Sequence, residues 1–164
     1  IETASIDSWN RHIGTNLKAP LFLMQEFSRQ VPDGVVDSQG EYLSQANIVN
    51  IVDQRVLKKT PEFFTYSLAK MGLWSLTQTA AQALAPKIRV NAIGPGPTIQ
   101  GHRQKEDHFK KQRKNTVLKR GSAPNEILAA LTFILNTPSI TGQLICIDGG
   151  QHLAWKTADI LGLE

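Results

Sequence analysis

Residues 47–53 read Asn-Ile-Val-Asn-Ile-Val-Asp, and residues 88–96 read Ile-Arg-Val-Asn-Ala-Ile-Gly-Pro-Gly. Short runs rich in Ile and Val that end at a turn residue are typical of buried strands, so we expect strands at Asn47–Val52 and Arg89–Ile93. A periodic apolar pattern from about Thr65 predicts a helix between them, which ends at Ala85-Pro86 because proline cannot continue the turn. A strand, a helix and a strand in this order predict a parallel pair with a right-handed crossover.

The flanking sequence extends this pattern in both directions. Upstream, apolar residues at three- and four-residue intervals predict one helix from Ser5 or Asp7 to the break at Pro32, and a polar loop then runs to about Gln45. Downstream, we expect a helix from Pro124 to about Leu135 and a third strand at Gln143–Asp148. Helices and strands therefore alternate, which predicts an α/β fold with a doubly wound parallel sheet and flanking helices.

Composition is that of an ordinary globular domain: 164 residues, 41% hydrophobic and 20% charged. The longest apolar stretches fall well short of the ~20 residues that a membrane-spanning helix needs. The single cysteine, Cys146, lies in an apolar run and has no internal disulfide partner, so we expect an inert thiol and a cytoplasmic protein.

Positive charge is concentrated between residues 103 and 120, which hold eight Lys and Arg against Glu106 and Asp107. Such a stretch can bind nucleic acid. Phe109 is its only aromatic side chain, however, so we interpret it as a solvated cationic surface segment. We therefore expect neither a nucleic-acid partner nor a membrane partner.

A pair of side chains near the start of the second helix carries chemistry. Tyr66 and Lys70 are four residues apart and so share one helical face. A phenol with a pKa of ~10 is a poor proton donor near neutrality, but a neighbouring ammonium lowers that pKa, so such a pair can serve as an acid/base catalyst. Taken alone, the Tyr-x-x-x-Lys spacing also occurs by chance in many surface helices. Doubly wound sheets bind ligands beyond the carboxyl ends of their strands, which here carry Asp53, Gly94–Thr98 and Asp148.

Several motifs together resemble the short-chain dehydrogenase/reductase family. They are Asn16-Leu17, Tyr66-Ser67-Leu68-Ala69-Lys70, Ile88 to Gly96, Thr141-Gly142-Gln143 and Asp148-Gly149-Gly150. The resemblance implies that residues 1–164 are the C-terminal part of a single Rossmann-type domain, whose first strands and glycine-rich phosphate-binding turn are missing from this sequence. No Gly-x-x-x-Gly-x-Gly occurs in it. We therefore expect these residues alone to bind a nicotinamide cofactor weakly.

The resemblance also implies roles for individual residues. Tyr66 is the proton donor, and Lys70 binds the nicotinamide ribose and lowers the pKa of Tyr66. The backbone of Asn16 supports a water in the proton relay, while Pro95, Gly96 and Thr98 contact the nicotinamide side of the cofactor. The structural alternatives are that Asn16 only bends its helix and that residues 95–97 only form a turn.

Asp53 departs from the common family pattern, which has serine thirteen residues before the tyrosine. Ile51-Val52-Asp53 resembles the pteridine reductase branch instead. A carboxyl group at this point can orient a pteridine ring or help to deliver a proton to a ring nitrogen. We therefore expect an NADP-dependent reductase of dihydropteridines, with NAD left open. The alternatives are a general reductase of acyl thioesters or sugars, and a non-catalytic remnant in which Asp53 is a loop residue.

The expected partners follow from the same resemblance. A small-molecule substrate is implied, together with a homodimer or homotetramer built through the first two helices. No His/Cys/Asp spacing in the sequence indicates a metal site.

Overall fold

A computed structural model describes residues 1–102 and 104–155 of the chain. Its α-helices are α1 (Ile6–Ile13), α2 (Ala19–Gln30), α3 (Phe64–Leu84), α4 (Glu106–Lys114) and α5 (Pro124–Asn136), with a π-helical turn at Gly14–Lys18 and 3₁₀ turns at Gln54–Val56 and Gln151–Leu153. Its strands are β1 (Val35–Val36), β2 (Tyr42–Leu43), β3 (Ala46–Ile51), β4 (Ile88–Pro95) and β5 (Leu144–Ile147).

The main sheet is parallel, with the strand order β3-β4-β5. Ala46 pairs with Ile88 and Ile51 with Ile93, and Pro95 at the end of β4 pairs with Ile147 of β5. The expected α/β fold with a doubly wound sheet is confirmed. Because the three strands are parallel, their carboxyl ends lie at the same edge of the sheet. This brings Asp53, the 95–98 loop and Asp148 together.

The first helix differs from the single continuous helix that the sequence predicted. Residues 14–18 form a π-helical turn between α1 and α2, and the amide of Ala19 bonds to the carbonyl of Gly14. Pro20 explains the change, because it lacks the N–H that would bond to the Asn16 carbonyl four residues earlier and its ring would clash with that carbonyl.

One segment that was expected to be a loop has some regular structure. The predicted polar loop contains an antiparallel β1-β2 hairpin. Its turn is stabilised because the Asp37 carboxylate accepts hydrogen bonds from the amides of Gln39 and Glu41. Within the basic stretch, residues 106–114 form α4, while Arg103 lies outside the described residues.

Helices cover both faces of the sheet. Leu73 and Ala80 of α3 pack on the face that carries Ile88 and Val90, and Ala130 and Ile134 of α5 pack with Ile93. Two polar side chains within these layers are satisfied, since Asn50 donates to the Thr77 hydroxyl and the Asn91 amide bonds to the backbone of residues 140 and 143. None of the helices described is both long and apolar enough to span a bilayer.

Candidate active site

Asp53, Tyr66 and Lys70 meet at the carboxyl end of β3. The Tyr66 hydroxyl donates to Oδ2 of Asp53 over 2.9 Å, and Nζ of Lys70 donates to the carbonyl of Ile51 over 2.8 Å. Nζ of Lys70 also lies 5.9 Å from the centroid of the Tyr66 ring. The phenol and the ammonium therefore lie on the same side of α3, next to the carboxylate.

The pKa of Tyr66 is shifted in the direction opposite to the one expected from its neighbouring lysine. Burial, followed by the charge and the hydrogen bond of Asp53, raises the pKa of Tyr66, and Arg55 opposes this only in part. Burial lowers the pKa of Lys70, against the opposing charge of Asp53. The predicted lowering of the Tyr66 pKa is thus not produced by the described residues, because Tyr66 bonds to a carboxylate while Lys70 bonds to a backbone carbonyl.

Arg55 is a site residue that the sequence reasoning missed. Its Nη1 lies 3.2 Å from Oδ2 of Asp53, the oxygen that also accepts from Tyr66, and the Asp53 carboxylate further accepts from the Arg55 amide. The guanidinium also stacks over Phe63 at 4.9 Å. Its position two residues after Asp53 was the available signal, since a carboxylate and a guanidinium so close in sequence can pair locally.

His12 is a second missed residue. Its Nδ1 is 2.8 Å from the hydroxyl of Thr65, which also bonds to Ser8, and its ring packs edge-on against Tyr66 with the centroids 5.7 Å apart. Thr65 is buried. Helix α1 therefore supports the first turn of α3 directly behind the Tyr66 ring.

Asn16 lies in the π-helical turn between α1 and α2. Its side chain donates to the carbonyl of His12 over 3.1 Å. Leu17 beside it packs so closely on α3 that a Cβ at Gly72 would come within 2.8 Å of it. Asn16 thus accompanies a distortion of its helix, as its structural alternative expected, and a role of its backbone in a proton relay stays a prediction.

Pro95, Gly96 and Thr98 line a cavity of about 390 Å³ together with Asp53 and Arg55. Gly96 is required by packing, since a Cβ there would lie 2.6 Å from the Cα of Asp148. The Thr98 hydroxyl bonds to the Gly96 carbonyl and to Ser122. The loop therefore has a fixed shape beside Asp53, and its contact with a nicotinamide stays a prediction.

A larger cavity of about 1200 Å³ opens beside Tyr66. Arg55 lines this cavity as well as the smaller one beside Asp53. Gln104, Gln112 and Gln151 also border both, so the two cavities are adjacent. Within residues 1–102 and 104–155, no group of His, Cys, Asp or Glu side chains has the arrangement of a metal site.

Burial, followed by the charges of Asp148 and Asp53, raises the pKa of the Cys146 thiol to about 11.

Comparison with known proteins identifies the family. A family model described as enoyl-(acyl carrier protein) reductase matches residues 1–152, and the chain belongs to the short-chain dehydrogenase/reductase family. Among its relatives, pteridine reductase 1 of Leishmania tarentolae is 32% identical over 160 residues, covering 93% of this chain and 52% of that protein. A 3-oxoacyl-[acyl-carrier-protein] reductase of Mus musculus is 37% identical over 110 residues, covering 65% of this chain and 45% of that protein.

A solved structure resembles the chain more fully. FolM alternative dihydrofolate reductase 1 from Brucella canis, complexed with NADP, superposes with a TM-score of 0.89 and 41% identity, over 98% of this chain and 61% of that one. The chain thus spans about half the length of the curated relatives described above.

Proposed function

We propose that the protein is an NADPH-dependent reductase of dihydropteridines, in which Tyr66 donates the proton. The observation that carries this proposal is the hydrogen bond from the Tyr66 hydroxyl to the Asp53 carboxylate, 2.9 Å long. A carbonyl reductase of this family needs only a hydroxyl at that point. A carboxylate bonded to the proton donor suits a substrate that must be protonated on a ring nitrogen. The pteridine reductase relative and the FolM structure support the same substrate class.

Residues of this chain keep the proton to be donated on the Tyr66 hydroxyl. The raised pKa of Tyr66 keeps its hydroxyl protonated across the neutral range. Asp53 accepts that hydrogen bond and orients the phenol, while Arg55 balances the negative charge of Asp53. Tyr66 therefore enters the reaction as an acid, which is the form that a reduction requires.

Lys70 and the residues that line the smaller cavity fit a nicotinamide cofactor. Lys70 carries three N–H donors, one of which bonds to Ile51, and among the described residues the other two have no acceptor. Ribose hydroxyls supply such acceptors. Pro95, Gly96 and Thr98 would border the nicotinamide beside Asp53. The reduced nicotinamide, when bound, supplies the hydride. NADP is favoured because the FolM structures from Brucella canis and Brucella suis contain it.

We further propose that residues 1–164 form the C-terminal part of a single Rossmann-type domain and that the protein works in the cytoplasm as a homodimer or homotetramer. The share of the relatives' length that the chain covers supports the first point. Exposed apolar side chains on the first helices, such as Trp9 and Leu23, support self-association.

A second candidate function is reduction of a 3-oxoacyl thioester, which the mouse relative favours at 37% identity. Asp53 separates the two candidates. A ketone reduction needs only a hydrogen-bond donor beside Tyr66. A serine hydroxyl serves that purpose equally well as the carboxylic acid of an aspartate.

The test measures NADPH oxidation by the purified protein, including any segment encoded before Ile1. Substrates are a 7,8-dihydropterin and a 3-oxoacyl thioester. We expect wild type to reduce the dihydropterin, Tyr66→Phe to lose about 10²- to 10⁴-fold in kcat, and Asp53→Ser to lose most of the pterin activity. Reduction of the thioester alone, with Asp53→Ser as active as wild type, would establish the second candidate instead.

A further inference from the structure

The 3₁₀ turn Gln151–Leu153 borders both cavities of the candidate site. Gln151 lines the larger cavity together with Tyr66 and the smaller cavity together with Asp53. Its turn packs against the 3₁₀ turn Gln54–Val56, which directly follows Asp53 in the chain. Gln151 is thus a residue from the C-terminal part of the chain that reaches the same two spaces as the proposed proton donor and its carboxylate.

The backbone at Gln151 is held in place by Asp148, whose side chain is only 2% exposed. The Asp148 carboxylate accepts hydrogen bonds from the amides of Gly150 and His152, over 2.9 and 2.8 Å, and also bonds to Nδ1 of His152 over 2.8 Å. The Gln151 amide in turn donates to the Asp148 carbonyl over 3.2 Å. The Gln151 side chain therefore starts from a backbone of fixed shape, which reduces the entropy lost when it binds a ligand.

The side-chain amide of Gln151 has unused hydrogen-bonding capacity. Within the described residues it forms no hydrogen bond. By contrast, Gln104 and Gln112, which also border both cavities, bond to each other over 2.9 Å. A primary amide has two N–H donors and a carbonyl acceptor in one plane. Gln151 can therefore offer a donor and an acceptor side by side to a ligand in either cavity.

A second glutamine indicates the same kind of ligand. Gln54 lines the smaller cavity and is 3% exposed, and its Oε1 is buried without a partner among the described residues. The neighbouring Asp53 is already engaged, because its Oδ2 accepts from both Tyr66 and Arg55. A buried acceptor without a donor is unfavourable. This part of the smaller cavity therefore favours a ligand that brings an N–H donor.

An amide is the group that best matches an amide side chain. Two amides can face each other so that each N–H donates to the carbonyl of the other, in the same way that glutamine makes two hydrogen bonds with the edge of an adenine. Both ligands of the proposed function contain an amide. The lactam of a dihydropteridine has a ring N–H beside a C=O, and a nicotinamide has a carboxamide. The reacting ketone of a 3-oxoacyl thioester has no N–H beside it.

We propose that Gln151 is a specificity-determining residue whose side-chain amide pairs with an amide of a bound ligand, either the pteridine lactam or the nicotinamide carboxamide. This inference rests on the proposed function, because that function supplies the two ligands. Gln54 adds a buried acceptor at the smaller cavity, and the contacts of Asp148 hold the turn. An apolar side chain at position 151 should therefore remove the preference for a ligand amide over an analogue that lacks its N–H.

The experiment measures dissociation constants by calorimetry on the purified protein, including any segment encoded before Ile1. Two pairs of ligands are compared. The first pair is NADP⁺ and its 3-acetylpyridine analogue, in which a methyl group replaces the amide NH₂. The second pair, titrated with NADP⁺ present, is a 7,8-dihydropterin and its 3-methyl analogue, in which a methyl group replaces the lactam N–H.

Two variants are measured with each ligand. Gln151→Met keeps the length of the side chain and removes its hydrogen-bonding groups. Gln112→Met is the matched control, since it makes the same change at a residue that also borders both cavities but whose amide is already bonded to Gln104. Circular dichroism verifies that each variant is folded.

We expect wild type to bind the amide-containing member of one pair about tenfold more tightly than its analogue, equivalent to ~1.4 kcal/mol. Gln151→Met should bind both members of that pair equally, while Gln112→Met should keep the preference. Changing the protein and the ligand together isolates the contact between them. The pair whose preference depends on Gln151 identifies the lactam or the carboxamide as its partner.

Three results would overturn the role of Gln151. They are a preference that survives in Gln151→Met, equal binding within both pairs by wild type, and an equal loss of preference in the two Met variants. Turnover of the dihydropterin with NADPH is measured separately on the same protein. Its absence in wild type would overturn the proposed function, whereas the calorimetric comparison with NADP⁺ would still decide the role of Gln151.

Discussion

His12 and Thr65 support the position of the Tyr66 side chain. The imidazole bonds to the Thr65 hydroxyl over 2.8 Å and packs edge-on against the Tyr66 ring, so two contacts fix the first turn of α3 next to the proposed proton donor. Catalytic geometry must be held closely, because a displacement of about 1 Å can cost ~100-fold in rate. We therefore propose that His12 positions Tyr66 for the proposed reaction.

We predict that His12→Leu lowers kcat for the dihydropterin by about tenfold to a hundredfold while changing the KM for NADPH little. His12→Asn, whose amide can reach Thr65, should recover most of that loss, and Arg11→Leu on the exposed side of α1 should change neither constant. Equal losses in the Leu and Asn variants would argue against positioning through Thr65. Steady-state kinetics supply the measurement.

For individual residues, the sequence predicted those members of the candidate site that lie near one another along the chain. Asp53, Tyr66 and Lys70 share one crossover unit, and the structure brings them together. It did not predict His12, because the contact with Thr65 spans 53 residues and no local pattern encodes it. The pKa of Tyr66 was predicted in the wrong direction, because the charge nearest its hydroxyl is a carboxylate and not the lysine.

Helix α4 and the 95–98 loop are joined by one side chain. Arg113 donates to the carbonyls of Pro97 and Ser122, each over 2.7 Å, and to that of Gly121 over 3.3 Å. The planar guanidinium is suited to reach several acceptors at once. The cationic stretch is therefore more than a solvated surface, since one of its charges fixes the shape of the loop beside Asp53.

We predict that Arg113→Lys lowers the free energy of unfolding by about 1–3 kcal/mol, because it leaves partly buried carbonyls without donors. It should also raise the KM for NADPH through the displaced loop. Arg120→Lys is the matched control, since Arg120 pairs with Glu126 at the surface and such pairs contribute only ~0–1 kcal/mol. Urea unfolding of both variants measures the difference, and similar losses in the two would exclude the proposed joining role.

The elements themselves were predicted to within one or two residues for β3, α3 and α5, because apolar periodicity and proline breaks define them. The π-helical turn was missed, since the periodic pattern continues through Pro20 and outweighed its missing N–H. The β1-β2 hairpin was missed because its strands have only two residues each, too few to produce an alternating pattern.

At the scale of the whole molecule, apolar side chains are exposed on α2 and on β3, which is one of the two edge strands of the described main sheet. Leu23 is 70% exposed and Ile51 49% exposed, and the Asn47 side-chain amide is buried without a described partner. Exposed apolar surface along a sheet edge promotes association with other chains. We infer that this face is covered in the working protein.

We predict that residues 1–164 alone bind NADPH far more weakly than a protein that also carries the family's glycine-rich turn. That turn supplies the backbone amides that hold a pyrophosphate, and the sequence contains no such motif. Fluorescence titration with NADPH measures both forms. Equal dissociation constants would mean that the cofactor is held by the described loops alone.

The most direct test of the central claim, that Asp53 controls the proton on Tyr66, is the pH dependence of dihydropterin reduction. The negative charge of Asp53 contributes to the raised pKa of Tyr66. Asp53→Asn removes that charge, so Tyr66 should lose its proton at lower pH and the alkaline limb of kcat/KM should move to lower pH than in wild type, in parallel with an ultraviolet titration of the tyrosinate. An alkaline limb that stays in place, or moves to higher pH, would contradict the claim.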